Sequence, residues 1–392
     1  MSQREADNEP TRLVLPDVPR VGFYPKQSTS SPEDDPFPAC LRSYLQYTGD
    51  AFDHDRLAAT PGDAWHHVHC YLMGISGAAF RLLWNPTRWD DGACADIANT
   101  AADPTEPFGR AFAAIGYGYE LLLRSEHARR LGYTGVTNDD EARYRERIVE
   151  SLRAGKPVIA FGVIGPPEAC LVTGYDEGGD VLIGWNFFQD DPVENPGGET
   201  EPSGYFRKRH WFAGTRGIIV IGGREPRPPQ PEIHRSALAW GLSIMRTPEV
   251  RGRTSGHAAY TAWAEALLRD DQFATDDAAV LMQRYFMHYA TVGTVAEARY
   301  WGNVFLAQIA AEEPRAAQEL REAAACFVAE HDLMWAVWEF AGGNAVSDAH
   351  ARKFADPTVR RRIVPLIRLA QEKDEQAGDL IERATSRLGG PR

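Results

Sequence analysis

The chain has 392 residues, 43% apolar and 25% charged, which is typical of a globular protein long enough for two or three domains. Its net charge of −13 argues against a nucleic-acid partner, because a phosphate-binding surface needs an excess of basic residues. No apolar run approaches the roughly 18 residues of a membrane span, and the N-terminus lacks the apolar segment of a secretory signal. The five cysteines have no paired spacing, so we expect free thiols and a cytoplasmic protein without membrane contact.

The N-terminal region begins with a charged, proline-containing stretch, residues 1–20, which we predict to be a flexible arm. Residues 21–222 then mix short helices with β-rich runs. Among the helices, "PACLRSYLQYTG" predicts a short one, with Pro38 in its first turn and Gly49 at its end. Cys40 lies near the start of this helix.

The stretch "GDAWHHVHCYLMG" contains three residues that zinc sites often use. On a helix, His66, His69 and Cys70 would share one face at positions i, i+3 and i+4. No fourth ligand is evident nearby, and a partly buried polar helix or strand edge is the alternative. We therefore predict neither a metal nor another cofactor.

The next segment, "GISGAAFRLLWNPTRWDDG", is punctuated by glycine and carries two tryptophans, Trp84 and Trp89, around a proline. Rigid aromatic rings with Arg81 nearby are suited to the wall of a pocket that holds an anionic ligand group. Trp185, farther along the chain, could extend the same wall. The alternative is a loop that covers the core with its aromatic rings.

The remainder of the N-terminal region changes from helices to strands. "PFGRAFAAIGYGYELLL" and "DDEARYRERIVESLRAG" predict two helices, and "KPVIAFGVI" predicts a strand. "EACLVTGYDEGGDVLIGWNFF" predicts a β-hairpin with its turn at "DEGG". "YFRKRHWFA" and "RGIIVIGG" predict two further strands. Helices followed by a run of antiparallel strands indicate an α+β domain.

A proline-rich stretch, "GGREPRPPQPE", separates this region from the rest, and we predict a linker at 223–232. From residue 233 to 392 apolar residues recur at helical spacing, with breaks at Pro248, Pro314 and Pro357 and at a pair of glycines. This pattern predicts an all-α domain of about seven helices, with no strand longer than about three residues.

The order of these motifs resembles the papain-like cysteine fold. A cysteine at the start of an early helix is followed by "GKPVIA", by a strand ending in "VTGYDE" and by "VLIG". Over residues 36–222 the chain is similar to bacterial C39-type peptidases and to the butirosin biosynthesis protein H N-terminal family. The second family implies an acyltransferase that moves an acyl group from a carrier thioester to an amine. Its members often carry a helical C-terminal region, as this chain does.

The resemblance implies that Cys40 is a nucleophile. The residues support this role, because a helix N-terminus stabilises the thiolate through its unpaired N–H groups and its dipole. Free cysteine is also among the most buried residue types, so a packing role for Cys40 is the alternative. A second thiol, Cys170, lies on a predicted strand two residues after Glu168, where core packing is again the alternative.

The residue that would accept the proton of Cys40 departs from the pattern of the resembling peptidases. In those peptidases a histidine begins the strand that ends here in "VTGYDE". Counting back from Gly174, that position here is Glu168, and a carboxylate is a sufficient base only if burial raises its pKa. In those peptidases a third catalytic residue lies on the next strand. Its position here is Trp185, with Asn186 one residue later. Because side chains alternate along a strand, Asn186 points away unless Gly184 marks a bulge.

These residues predict cysteine-dependent acyl transfer or amide hydrolysis on a small-molecule or acyl-carrier-linked substrate. Cys40 would be the nucleophile, Glu168 the proton acceptor, and Trp84, Trp89, Arg81, Trp185 and Asn186 would contact the substrate. The alternative is a catalytically inactive papain-like protein that binds a ligand or peptide. A histidine within about 3–4 Å of the Cys40 sulfur would favour the enzyme. The candidates are His54, His66, His67, His69 and His210.

Overall fold

A computed structural model describes residues 10–23, 33, 35–50, 52–58, 64–90 and 96–389. Of the described residues, 57% are helical and 13% lie in strands, and the strands pair antiparallel, so the predicted α+β class is confirmed. Contacts divide the chain into two compact units. The first unit comprises residues 1–69 and 115–227, and the second comprises residues 70–114 and 228–392.

The described helices and strands are numbered in chain order. The helices are α1 (Pro36–Tyr47), α2 (His54–Ala58), α3 (Ala64–Ser76), α4 (Glu106–Ile115), α5 (Ser125–Leu131), α6 (Glu141–Arg153), α7 (Gln230–Arg246), α8 (Gly256–Leu267), α9 (Ala278–Glu312), α10 (Ala317–Ala341), α11 (Asp348–Ala355) and α12 (Pro357–Gly389). The strands are β1 (Leu13–Val14), β2 (Leu83–Trp84), β3 (Tyr117–Leu123), β4 (Val158–Phe161), β5 (Ala169–Asp176), β6 (Val181–Trp185), β7 (Glu199–Thr200), β8 (Phe206–Arg209), β9 (Gly217–Arg224), β10 (Glu249–Val250) and β11 (Arg253–Ser255).

The first unit is built on one antiparallel sheet with the strand order β3-β9-β4-β5-β6-β8-β7, and β1 pairs with β5. The hairpin of β5 and β6 turns where the sequence predicts it. Val172 pairs with Gly184 and Gly174 with Ile183, which leaves Thr173 as an extra residue in β5. This arrangement is a β-bulge. Both α1 and α6 pack against β5.

Residues 10–20 do not form the predicted flexible arm. β1 is hydrogen-bonded to β5, Val18 is buried, and the Arg12 guanidinium lies 2.9 Å from the Asp176 carboxylate. The stretch is charged, but its backbone and its apolar residues have partners in the sheet. Residues 1–9 lie outside the described residues.

The helix predicted over 107–123 is wrong in its second half. The helix α4 ends at Ile115, and the strand β3 follows at once. Gly116 adopts a left-handed backbone conformation with φ +73°. Helices commonly end at a residue in this conformation, which glycine adopts readily. Beyond it the backbone pairs with β9, for example Leu121 with Ile219. Tertiary strand pairing thus outweighs the local helical pattern.

The second unit is mainly helical. Between residues 230 and 389, all of which are described, there are six α-helices rather than about seven, and none of the strands there exceeds three residues. β2, β10 and β11 form a small antiparallel sheet. The predicted breaks coincide with helix ends, and α12 continues through Pro365. No helix in the described ranges is long and apolar enough to cross a membrane.

The ends of the predicted linker belong to regular structure. β9 continues to Arg224 and α7 begins at Gln230, which leaves residues 225–229 between them. Pro229 precedes α7 and Pro231 lies in its first turn, where a missing N–H costs no helical hydrogen bond. Proline therefore begins the helix here instead of prolonging the linker.

The segment 70–114 belongs to the second unit, whereas the sequence placed it within the domain 21–222. Two contacts show why. Leu83 of β2 pairs with Ser255, and the guanidinium of Arg299 donates a 2.7 Å hydrogen bond to the carbonyl oxygen of Ala79. The spacing of apolar residues predicts whether a segment is a helix or a strand. It does not predict which other element the segment packs against.

Candidate active site

Cys40 is the fifth residue of α1 and is completely buried. Its N–H lies within the hydrogen-bonded body of the helix, since the preceding Ala39 N–H already donates to the Asp35 carbonyl at 3.2 Å. Pro36 and Pro38 have no N–H at all. The start of this helix therefore offers few donors to a thiolate or to an oxyanion at Cys40.

The surroundings of Cys40 favour the neutral thiol. Burial raises the pKa of Cys40 well above its ordinary value, and the neighbouring Cys170 raises it further. The charge of Arg42 lowers the pKa, while the carboxylates of Glu33 and Asp35 raise it. Burial outweighs Arg42, so Cys40 is protonated at neutral pH.

Cys170, the residue that neighbours Cys40, lies in β5 and is also completely buried. Burial raises the pKa of Cys170 to about 12, although the side-chain amide of Asn186 and the backbone N–H of Ala160 donate to its sulfur. The Asn186 amide also donates to the Ile164 carbonyl at 3.3 Å. The structure thus brings together Cys40, Cys170 and Asn186 in the first unit.

The bulge at Thr173 explains this grouping. Counting back from Gly174 assumes a regular strand, whereas an extra residue changes which side chains share a face. Asn186 therefore reaches the same face as Cys170. The motif order predicts Glu168 as the partner of Cys40 and Cys170 only as a second thiol.

Glu168 lies just before β5, and its side chain is largely buried. Its carbonyl oxygen accepts a 3.1 Å hydrogen bond from the Gly162 N–H, which aligns the end of the β4–β5 pair. The carboxylates whose charge acts on Cys40 are instead Glu33 and Asp35. The sequence analysis did not find Glu33, which precedes α1 by three residues.

A buried ion pair lies beside these groups. The Arg42 guanidinium donates to both carboxylate oxygens of Glu33, at 2.7 and 2.5 Å, and to the Arg20 carbonyl at 2.9 Å. Nδ1 of His69 lies 3.9 Å from the same carboxylate. Burial and the charge of Arg42 lower the pKa of His69 to about 3, so this imidazole is neutral.

None of the five candidate histidines, all of which are described, is hydrogen-bonded to the Cys40 sulfur. His54 packs on the ring of Trp65 with a centroid distance of 4.7 Å. His210 precedes a short 3₁₀ turn in a left-handed conformation. No hydrogen bond from one of these histidines therefore supports a nucleophilic role of this thiol.

The predicted aromatic wall is divided between the two units. Trp84 and Trp89 belong to the second unit, where Trp84 stacks on Trp263 at 6.1 Å and Trp89 meets Phe273 edge-on at 5.5 Å. Arg81 is buried in the same unit. These rings extend the helical core, which was the alternative in the sequence analysis.

Trp185 belongs to the first unit, where its indole N–H donates to the carbonyl oxygen of Val18 at 2.9 Å. Its ring meets Tyr205 edge-on with a centroid distance of 4.6 Å. Trp185 therefore fixes the N-terminal stretch against the sheet. Asn186, from the predicted substrate-binding set, contacts Cys170.

The described ranges contain no group of three or more His, Cys, Asp or Glu side chains arranged to hold a metal ion. No protein-family model matches the chain, and no curated protein sequence is significantly similar to it.

Proposed function

We propose that the chain is a catalytically inactive protein of the papain-like type that binds a ligand or peptide. The observation that carries this proposal is the state of Cys40, a completely buried thiol whose pKa is raised and whose neighbour is a second thiol. Thiolate is the nucleophilic form of cysteine, and this site stabilises the neutral form instead.

The neighbouring groups do not supply a base. General-base catalysis is most efficient when the pKa of the base lies near the working pH. The pKa of His69 is lowered to about 3, and that of Cys170 is raised to about 12. At pH 7 His69 is a very weak base and Cys170 keeps its proton. A packing role for both thiols agrees with these values.

The rival function is cysteine-dependent acyl transfer or amide hydrolysis on a small or carrier-linked substrate. One observation favours it. A helical thiol, a group on the facing strand and an amide on the next strand lie in the order that the resemblance implies, as Cys40, Cys170 and Asn186. This order would also remain in a papain-like protein that had lost its histidine.

Alkylation of the full-length protein with iodoacetamide at about pH 7 separates the two functions, because an unperturbed thiol is a few per cent ionised there. We expect Cys40 and Cys170 to remain unlabelled in the folded protein and to react after unfolding in urea. Cys326, which is partly exposed, is the internal control and should react before Cys40 and Cys170. Peptide mapping by mass spectrometry reports each site. Labelling of Cys40 faster than Cys326 in the folded protein would contradict the proposal and restore the enzymatic reading.

A further inference from the structure

A row of aromatic side chains connects α9 and α10 in the second unit. The ring centroids of Tyr300 and His331 are 5.0 Å apart, and those of His331 and Trp335 are 6.1 Å apart. Trp338 lies 5.0 Å from Trp335 and 5.5 Å from Tyr289. We call these five residues the aromatic surface.

Two of these five side chains are exposed to solvent, whereas Trp338 beneath them is buried. Trp335 is 43% exposed and Tyr300 is 40% exposed. Phe286 and Val328, at 42% and 40%, lie on the same sides of their helices, because residues seven or fourteen positions apart share a helical face. Grouped exposed apolar side chains mark interaction sites more often than scattered ones do.

The exposed charges beside Trp335 on α10 are negative. Trp335 has Asp332 one turn before it and Glu339 one turn after it on the same face of α10, and both acids are exposed. The ranges 286–304 and 328–339 contain no lysine, and their one arginine, Arg299, is completely buried. Aromatic faces and carboxylates both attract cations.

We propose that the aromatic surface binds a basic amphipathic helix of a partner protein. Apolar residues of that helix would pack on Trp335 and Tyr300, while its lysines or arginines would meet Asp332 and Glu339. A second copy of this chain is disfavoured because a two-fold contact would place these acids against each other. An anionic membrane is disfavoured for the same electrostatic reason. The inference goes beyond the proposed function and does not depend on whether Cys40 reacts.

The test uses the full-length protein and a synthetic helical peptide of about 18 residues, which spans about 27 Å. Leucines occupy one face of this peptide and lysines the rest. Calorimetric titration should show saturable binding that weakens as salt is added. Trp335→Ala and Tyr300→Ala should each weaken the affinity about tenfold or more, because exposed aromatic anchors dominate such contacts. Asp332→Lys should weaken binding and reduce its dependence on salt.

Matched variants on another face of the same unit serve as controls. Leu369, which is 41% exposed, and Glu372, which is exposed, lie on α12. Leu369→Ala and Glu372→Lys should leave the affinity unchanged, and circular dichroism should show every variant folded. A peptide with glutamates in place of the lysines should not bind.

Three results would overturn the proposal. The first is no saturable binding of the lysine peptide to the unaltered protein. The second is an equal loss of affinity in the α12 controls, because binding would then follow net charge alone. The third is a concentration-dependent dimer in sedimentation experiments that Trp335→Ala abolishes, because a second copy would then occupy the surface.

Discussion

At the residue scale, the second unit buries two carboxylates against one guanidinium. Arg299 is completely buried, and its Nε lies 2.9 Å from Asp374 and 3.3 Å from Glu330. The Tyr260 hydroxyl donates to Glu330 at 2.8 Å. Burial, and then the charge of Asp374, raise the pKa of Glu330 well above its usual range. One positive charge cannot balance two buried negative charges, so Glu330 keeps its proton.

This proton should make stability depend on pH. The pKa of Glu330 is higher in the folded state than in the unfolded state, so its stabilising effect is complete below about pH 4.3 and is lost as pH rises towards the folded value. We expect the free energy of unfolding to fall with pH, by at most about 1.4 kcal/mol per pH unit for one proton. Glu330→Gln should remove this contribution to the slope in urea unfolding between about pH 5 and 8.

The slope is the readout here, because Gln forms hydrogen bonds of its own and these change the absolute stability. Glu322→Gln, an exposed carboxylate on the same helix, should leave the slope unchanged. His257 of α8 lies 3.5 Å from Asp374 and is present in both variants. An equal slope in Glu330→Gln and in the unaltered protein would show that Glu330 is ionised.

The site was partly predictable at this scale. Cys40 and Asn186 follow from the motif order, and the thiol does lie early in a helix. The bulge at Thr173 was not visible, because it depends on how β5 and β6 pair. The ion pair of Arg42 with Glu33 was also hidden, since the two residues are nine positions apart and no helical or strand period connects them.

At the element scale, a glycine in α3 marks a close helix contact. A Cβ placed on Gly74 would lie 2.2 Å from the ring of Phe305 in α9. Alanine in a helix interior normally stabilises by about 1 kcal/mol relative to glycine. Overpacking costs about 1–3 kcal/mol, so the clash should decide the sign here. We expect Gly74→Ala to lower the melting temperature measured by circular dichroism.

A control and a double-mutant cycle make this test specific. Gly378 in α12 has its nearest neighbour at 3.6 Å from a built Cβ, so Gly378→Ala should be neutral or stabilising. In a Phe305→Leu background, Gly74→Ala should cost less, because a smaller side chain faces it. Equal costs in both backgrounds would mean that the ring contact is not responsible.

The same scale shows where hydrophobic patterns fail. The burial of β3 does not alternate, and its run of three leucines after "GYGYE" reads as the end of a helix. By contrast, the β5–β6 hairpin was predictable because its turn residues are specific. β3 is a strand because it pairs with β9, so its own residues do not show that it is one.

At the scale of the whole molecule, the two units are not consecutive in the chain. The second unit combines residues 70–114 with residues 228–392. The proline-rich stretch showed one crossing between the units, near residue 227. The other crossings lie inside α3 and at the end of α4, where no break in composition marks them.

This arrangement predicts that the helical region will not fold alone. A fragment of residues 228–392 loses β2, the carbonyl oxygens of Ala79 and Phe80 that accept hydrogen bonds from Arg299, and the ring contact of Phe80 with Phe305. A buried guanidinium without these partners is costly. We expect the fragment to show no cooperative thermal transition by circular dichroism.

Restoring the missing segment should restore folding. Ala114 and Pro228 line the same small cleft, so a short glycine–serine linker can join residues 70–114 directly to residues 228–392. This joined chain should melt cooperatively. Arg299→Met should destabilise both the joined chain and the full-length protein. The alternative result is a fragment of residues 228–392 that melts at the same temperature as the joined chain. In that case residues 70–114 would not contribute to the folding of the helical unit. The domain boundary would then lie at the proline-rich stretch, as the sequence predicts.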